Sequence, residues 1–162
     1  MTLTPEDFIA LLQSYLWPFL RVSALLISAP IFGANSFTVR GRVLLAVLIA
    51  ALIVPTLPAP PRVDPLSALG LVLGLREVGV GLAMGFVMQL VFGAAVVAGH
   101  AIATTMGLGF AMSVDPQNGV QVPVVSQFNV VLATLLFLAI DGHLMLIAAL
   151  ANSFSVFPIG SS

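Results

Sequence analysis

Between Glu77 and Asp115 the chain carries no Asp, Glu, Lys or Arg, a run of 37 uncharged residues from Val78 to Val114. At about 1.5 Å per residue a helix of that length would reach about 55 Å, against about 30 Å of bilayer hydrocarbon. One simple crossing cannot use it all. The segment must be strongly tilted, broken, or packed against other protein away from lipid. The rest of the chain is scarcely more polar, with 60% hydrophobic and 7% charged residues, where a soluble domain carries roughly 25% charged. Five basic and six acidic side chains cannot wet the surface of a 162-residue globule, so lipid or apolar partner chains replace much of the water. All five basic residues are Arg, and the net charge of −1 excludes a nucleic-acid binder held by phosphate neutralisation. With no Cys there are no disulfides, iron–sulfur clusters or thiolate zinc sites. Two His, His100 and His143, lie far apart in sequence and leave little material for a metal site. The composition describes an integral membrane protein that needs no cofactor.

Four apolar blocks follow one another. The first runs from about Phe8 to Phe32 and is interrupted by Pro18 and Arg21. Ahead of it, Thr4-Pro5-Glu6-Asp7 reads as a helix start, with a hydroxyl cap, Pro at the first helical position and carboxylates at the positive dipole end. No basic n-region precedes this block, so it is expected to be retained rather than cleaved as a signal. The second block, Val43 to Val54, ends at a connector with Pro at 55, 58, 60, 61 and 65, which no helix can cross. The third starts near Leu66, and its glycines predict that the helix gives out between about Gly99 and Thr105. The fourth runs from about Val124 to Phe157 with one charge, Asp141. Backbone polar groups within lipid must be satisfied inside the segment, so the blocks are expected to be helical. A barrel is excluded because runs such as Val43 to Val54 do not alternate. Arg40 and Arg42 favour a cytoplasmic first connection with the N-terminus outside, and Arg62 in the next connection argues the other way.

Polar residues form stripes on these apolar helices. At about 100° per residue, Ser14, Arg21 and Ser28 fall within about 40° of one another, as do Gln127, Thr134, Asp141 and Asn152 on the fourth block. Gln89, Gly93 and His100 share a face of the third. Such stripes mark sides that cannot face lipid. The plain reading is hydrogen bonding that glues helices or subunits together, through Arg21, Glu77, Gln89, His100, Gln127, Asp141 and Asn152. The sharper one is a proton or ion pathway through Arg21, Glu77 and Asp141, and contact with a water-filled conduit is a third. Adjacent Arg76 and Glu77 point about 100° apart, which directs them to other helices rather than to each other. Gly70 with Gly74 and Gly81 with Gly85 are pairs that let helix backbones approach closely.

The segment between blocks three and four is unusual. Met106, Leu108, Phe110 and Met112 alternate with Gly107, Gly109 and Ala111, and Asp115-Pro116-Gln117-Asn118-Gly119 then supplies ordinary turn chemistry. Loops of this length without secondary structure are usually functional. Glycines give mobility, and Met and Phe are soft fillers able to close an irregular opening against ions. A re-entrant segment or a buried connection is the competing reading.

Four stretches in order resemble one known family. They are Phe19-Leu20-Arg21-Val22-Ser23-Ala24 with Ala29-Pro30-Ile31-Phe32-Gly33, then Val39 to Arg42 ending at Pro55. Next come Glu77, Gly79-Val80-Gly81, Gly85-Phe86, Ala98-Gly99, Gly107-Leu108 and Asp115-Pro116, and last Gly142-His143-Leu144, Ser153-Phe154 and Pro158-Ile159-Gly160. Together they resemble the FliR family, the R subunit of the flagellar type III export apparatus, shared with the T subunits of injectisomes. The resemblance implies an all-α membrane protein of long kinked helices and helical hairpins, packed in a closed multi-subunit helical assembly. Its partners would be P-type and Q-type export gate subunits, the B-type export switch subunit, membrane lipid and unfolded flagellar export substrates. Its place would be the bacterial inner membrane at the flagellar basal body, with the assembly raised toward the periplasm. It further implies a plug over about Met106 to Val122, carried by Met106, Gly107, Leu108, Gly109, Phe110, Met112, Asp115 and Pro116. Family members continue into further helices and a cytoplasmic tail, so residues 1–162 would form one helical export-gate domain from the N-terminal part of that length.

The leading expectation is therefore a non-enzymatic subunit of a protein-export gate. A proton-coupled transporter subunit using Asp141 and Glu77 is the alternative from another class, and a structural membrane scaffold is a third. An enzyme fits worst, since no Cys exists, the Ser residues lack a nearby base, and no paired-acid motif surrounds Asp115 or Asp141.

Overall fold

In a computed structural model, residues 5–32, 38–58, 63–107, 112–114 and 121–160 are described. Their order is α1 (Pro5–Ser28), α2 (Val39–Ile53), a short 3-10 turn (Val54–Thr56), α3 (Ala68–Thr105), β1 (Met112–Val114), β2 (Gln121–Pro123), α4 (Val124–Ala139) and α5 (Gly142–Val156). The protein is an all-α membrane protein, apart from one antiparallel hairpin of three residues per strand that pairs Met112 with Pro123 and Val114 with Gln121.

Local chemistry sets the helix ends. α1 is described from Pro5 onward, and Thr4, the expected cap, lies outside the described residues. Thr38 caps α2 by accepting from Gly41 N at 3.3 Å, and Ser67 caps α3 by accepting from Gly70 N at 3.0 Å. The Ser67 hydroxyl also donates to Asp64 O at 2.6 Å, closing the turn that leads out of the Pro-rich connector. α3 runs unbroken for 38 residues and ends at Thr105, the far edge of the expected range. Gly107 follows at φ +71, its N–H donating to Thr104 O at 3.1 Å, the left-handed step by which glycine closes a helix.

Gly99 does not stop the helix. It lies mid-helix where α3 meets α4, and a Cβ there would come within 2.5 Å of Ser126 Cα. The fourth block does break. Ile140 and Asp141 interrupt it, Asp141 takes the left-handed conformation (φ 56), and α4 and α5 diverge by 68°. Asp is among the few non-glycine residues that tolerate that conformation. The alignment of Gln127 and Thr134 with Asp141 and Asn152 therefore does not hold, because it required one continuous helix.

α1 packs most extensively on α3, with α2 against α1 and α4 against α3. The main core joins α1, α2 and α5 through Val22, Leu25, Leu26, Ala46, Ile49, Ala50, Leu150 and Phe154. A smaller cluster of Ala29, Met88 and Phe92 extends toward α4, where Phe92 meets Phe137 edge to face at 6.1 Å. The α1–α3 contact is close because α3 presents little side chain. Gly74 faces Trp17 and Leu20, Gly81 faces the Arg21 carbonyl and Ala24, and Gly85 faces Ser28. Both series ascend, so the two helices run in the same direction.

Most apolar surface points outward. Val39–Thr56 and Ala68–Thr105 are each long and apolar enough to cross a membrane, and fewer than a quarter of the residues of either are buried inside the chain. The bent pair α4–α5 could form a third, broken span. At about 1.5 Å per residue the 38 residues of α3 extend about 57 Å, nearly twice the hydrocarbon thickness.

Two glycines of α3 separate packing from propensity. A Cβ at Gly79 would meet nothing within 4 Å, whereas one at Gly81 would strike the Arg21 carbonyl and come within 2.8 Å of the Ala24 Cβ. Gly79→Ala is expected to stabilise the protein by about 0.5–1 kcal/mol. Gly81→Ala is expected to destabilise it by about 1–3 kcal/mol. Unfolding titrations of both variants in detergent check the opposite signs.

Candidate functional site

Arg21 interrupts α1 among Leu20, Val22 and Leu25, and its side chain has no solvent exposure. A guanidinium is never deprotonated in a protein, so a buried one must be met by acceptors. Two helices supply them. Arg21 Nε donates to Glu77 Oε2 on α3 at 2.7 Å, with both side chains at 0% exposure. Nη1 donates to Ser153 Oγ on α5 at 3.0 Å, and Nη2 donates to the Phe157 carbonyl at the end of α5 at 2.9 Å. The face of the guanidinium lies 4.0 Å over the ring centroid of Phe154, adding a cation–π contact. The cluster thus closes the chain's beginning onto its end, across 136 positions from Arg21 to Phe157.

This geometry selects among the polar residues singled out from the sequence. It brings Arg21 and Glu77 together and separates both from the rest. Gln127 is half-buried, and Gln89, His100, Asp141 and Asn152 are exposed on this chain. The Gln89–His100 face of α3 turns away from α1, because the buried face of that helix runs through Gly70, Leu73, Glu77, Gly81, Gly85, Met88 and Phe92. Ser28 bonds back to Ala24 O and Leu25 O of its own helix. Thr134 likewise donates to Val130 O. Asp141 belongs to the α4–α5 break and contributes nothing to the Arg21 cluster. Among the described residues no group of three His, Cys, Asp or Glu could hold a metal.

Ser153, Phe154 and Phe157 were not marked as site residues by their sequence. Their signal is faint: Ser153 is a single hydroxyl in an apolar helix, and the Phe157 contribution is a backbone carbonyl that no residue type encodes. Nothing local pairs them with Arg21.

Of the segment after α3, Met106 is exposed, Gly107 ends the helix, and Met112 lies in β1. Leu108, Gly109, Phe110, Asp115 and Pro116 lie outside the described residues. The reading of 106–122 as a loop is corrected in part: Met112–Val114 within it pairs as a short strand with Gln121–Pro123 at its end. The alternation up to Met112 already has the two-residue period of a strand.

Removing one partner of a buried pair leaves an uncompensated charge, whereas removing both does not. Arg21→Met and Glu77→Met are each expected to destabilise the protein by about 3–5 kcal/mol. The double variant should lose clearly less than the two singles added together. A double-mutant cycle from unfolding titrations in detergent measures that coupling.

Residues 12–162 match the model of the bacterial export proteins, family 1. The chain is similar to flagellar biosynthetic protein FliR of Escherichia coli K12, with 41% identity over 99% of this chain and 61% of that relative. It is 38% identical to FliR of Pectobacterium carotovorum, over the whole of this chain and 62% of the relative. Against FliR of Bacillus subtilis the identity is 30% over 92% of this chain and 57% of the relative. The chain thus spans about three-fifths of the length of these curated relatives. It belongs to the bacterial export proteins, family 1, the family of flagellar biosynthetic protein FliR.

Proposed function

We propose that this chain is the N-terminal part of a non-enzymatic subunit of the flagellar protein-export gate. In this reading it assembles with P-type and Q-type subunits and with the B-type switch subunit around a passage for unfolded export substrates. Its place is the inner membrane at the flagellar basal body, with the assembly raised toward the periplasm. The observation that carries the proposal is the match to the FliR family over residues 12–162. The outward apolar faces of α2 and α3 support it, since α3 is far longer than a bilayer requires and most of its surface has no cover within the chain. Neighbouring subunits would supply that cover. Glu77 and Asp141, the acids of a coupled transporter, lie apart, one tied to Arg21 and the other exposed at a helix break.

The segment from Met106 to Val122 would act as the plug of the closed gate. Its described parts are the glycine step at Gly107 and the paired strands Met112–Val114 and Gln121–Pro123. Met and Phe side chains there would exclude water and so bar ions.

Deleting Gly107 to Ser113 in the assembled complex is expected to raise ion leakage across reconstituted membranes. Unchanged conductance in a complex of normal composition would remove the plug assignment. Failure of the chain to co-purify with P-type and Q-type subunits would remove the gate reading itself.

A further inference from the structure

α5 is joined to the rest of the chain differently from the other helices. Only Gly142, Leu150 and Phe154 among its 15 residues are buried. Its backbone makes no extensive approach to α1, α2 or α3, whereas α1 and α3 meet closely through glycines. Beneath it lies an apolar cavity of about 190 Å³, walled by Leu25 and Leu26 of α1, Leu45 and Ile49 of α2, and Leu146 and Leu150 of α5 among others. Side chains around a void lose part of their dispersion contact, so this seam holds weakly.

The two ends of α5 are fixed by different means. At the near end the chain turns through Asp141 at φ 56, and α5 diverges by 68° from α4. A Cβ on Gly142 would strike the Phe137 ring, and Phe137 meets Phe92 of α3, so this end is seated on α4 and α3. Such element-terminal positions commonly serve as hinges. At the far end Arg21 holds the helix, through Nη1 to Ser153 Oγ at 3.0 Å and Nη2 to the Phe157 carbonyl at 2.9 Å.

Glu77 offers Arg21 a second arrangement. Its Oε2 accepts from Arg21 Nε, while Oε1 is buried and has no partner among the described residues. Nη2 stands on the same edge of the guanidinium as Nε, the edge that fits both oxygens of a carboxylate. Once the Phe157 carbonyl withdraws, rotation of the carboxyl about its broad terminal torsion would bring Oε1 to Nη2. Nη1 alone is then left unmet, and that loss keeps the closed form favoured.

We infer that α5 is a latched flap, hinged at Asp141 and held shut by the two terminal nitrogens of Arg21, with Glu77 retaining Arg21 when the flap opens. α5 swings as a unit while α1, α3 and α4 stay assembled, and the cavity beneath it becomes accessible.

Hydrogen exchange of the intact protein in detergent, read by mass spectrometry, tests this. Amides of α5 from Leu146 to Val156 are expected to exchange together, roughly tenfold or more faster than the central amides of α1 and α3. Ser153→Ala removes one bond of the latch without touching either buried charge, and should speed α5 by a further factor of roughly ten. Exchange in α1, α3 and α4 should stay as in the wild type. Alanine is the better helix former, so a gain in helix propensity would act in the opposite direction. Wild-type α5 exchanging only in step with α1 and α3 overturns the inference. So does Ser153→Ala if it leaves α5 unchanged or speeds all the helices alike.

Discussion

A permanently charged side chain without solvent contact has to be answered by protein, and here that requirement organises three helices. Arg21 engages a carboxylate on α3, a hydroxyl on α5 and the carbonyl that ends α5, while Phe154 covers its face. α1 cannot separate from α3, nor α5 from either, without exposing an unmet charge to an apolar interior. The pair is reachable because α3 brings Gly81 and Gly85, rather than side chains, against α1. Close backbone approach and charge neutralisation are one arrangement seen from two sides.

Around that inner cluster the chain turns its apolar residues outward. The buried stripe of α3 is narrow, and Leu71, Val72, Leu75, Phe86, Val87, Leu90 and Val91 lie exposed on its other faces. Lipid can cover only about half of a helix this long, since bilayer hydrocarbon is about 30 Å thick. A surface of this kind suits a subunit enclosed by other apolar helices. The polar residues that remain outside, Gln89 and His100 on α3 and Asn152 on α5, lie on faces that the chain itself leaves uncovered.

Much of the fold was legible in residue types. The prolines from 55 to 65 ended α2, and the small-residue pair Gly81 and Gly85 marked a close helix contact that α1 fills. Arg21 and Glu77 stood out as charges that lipid would not accept. Their mutual pairing was not legible, because 56 residues separate them and each could have met another helix or another subunit. α3 ends at Thr105, inside the range its glycines marked, but the separate role of Gly99 was not legible: a glycine that ends a helix and one that admits a neighbouring helix look alike in sequence. Asp141 did mislead. Periodicity assumes a continuous helix, and the Asp141-Gly142 pair, a dipeptide that marks turns, was the local sign of the left-handed step that divides it.

The amino-acid sequence by itself determined that the chain is helical, apolar on nearly every face and unable to live in water. Those properties follow from charge content and backbone hydrogen bonding, which do not depend on which segments meet. The tertiary structure alone decided that Arg21 answers Glu77 and the end of α5, that Gly99 admits α4 rather than ending α3, and that Asp141 is a bend rather than part of a polar stripe. Each of these depends on atoms distant in sequence, or on one backbone angle, coming to a particular place, and only packing in three dimensions sets that.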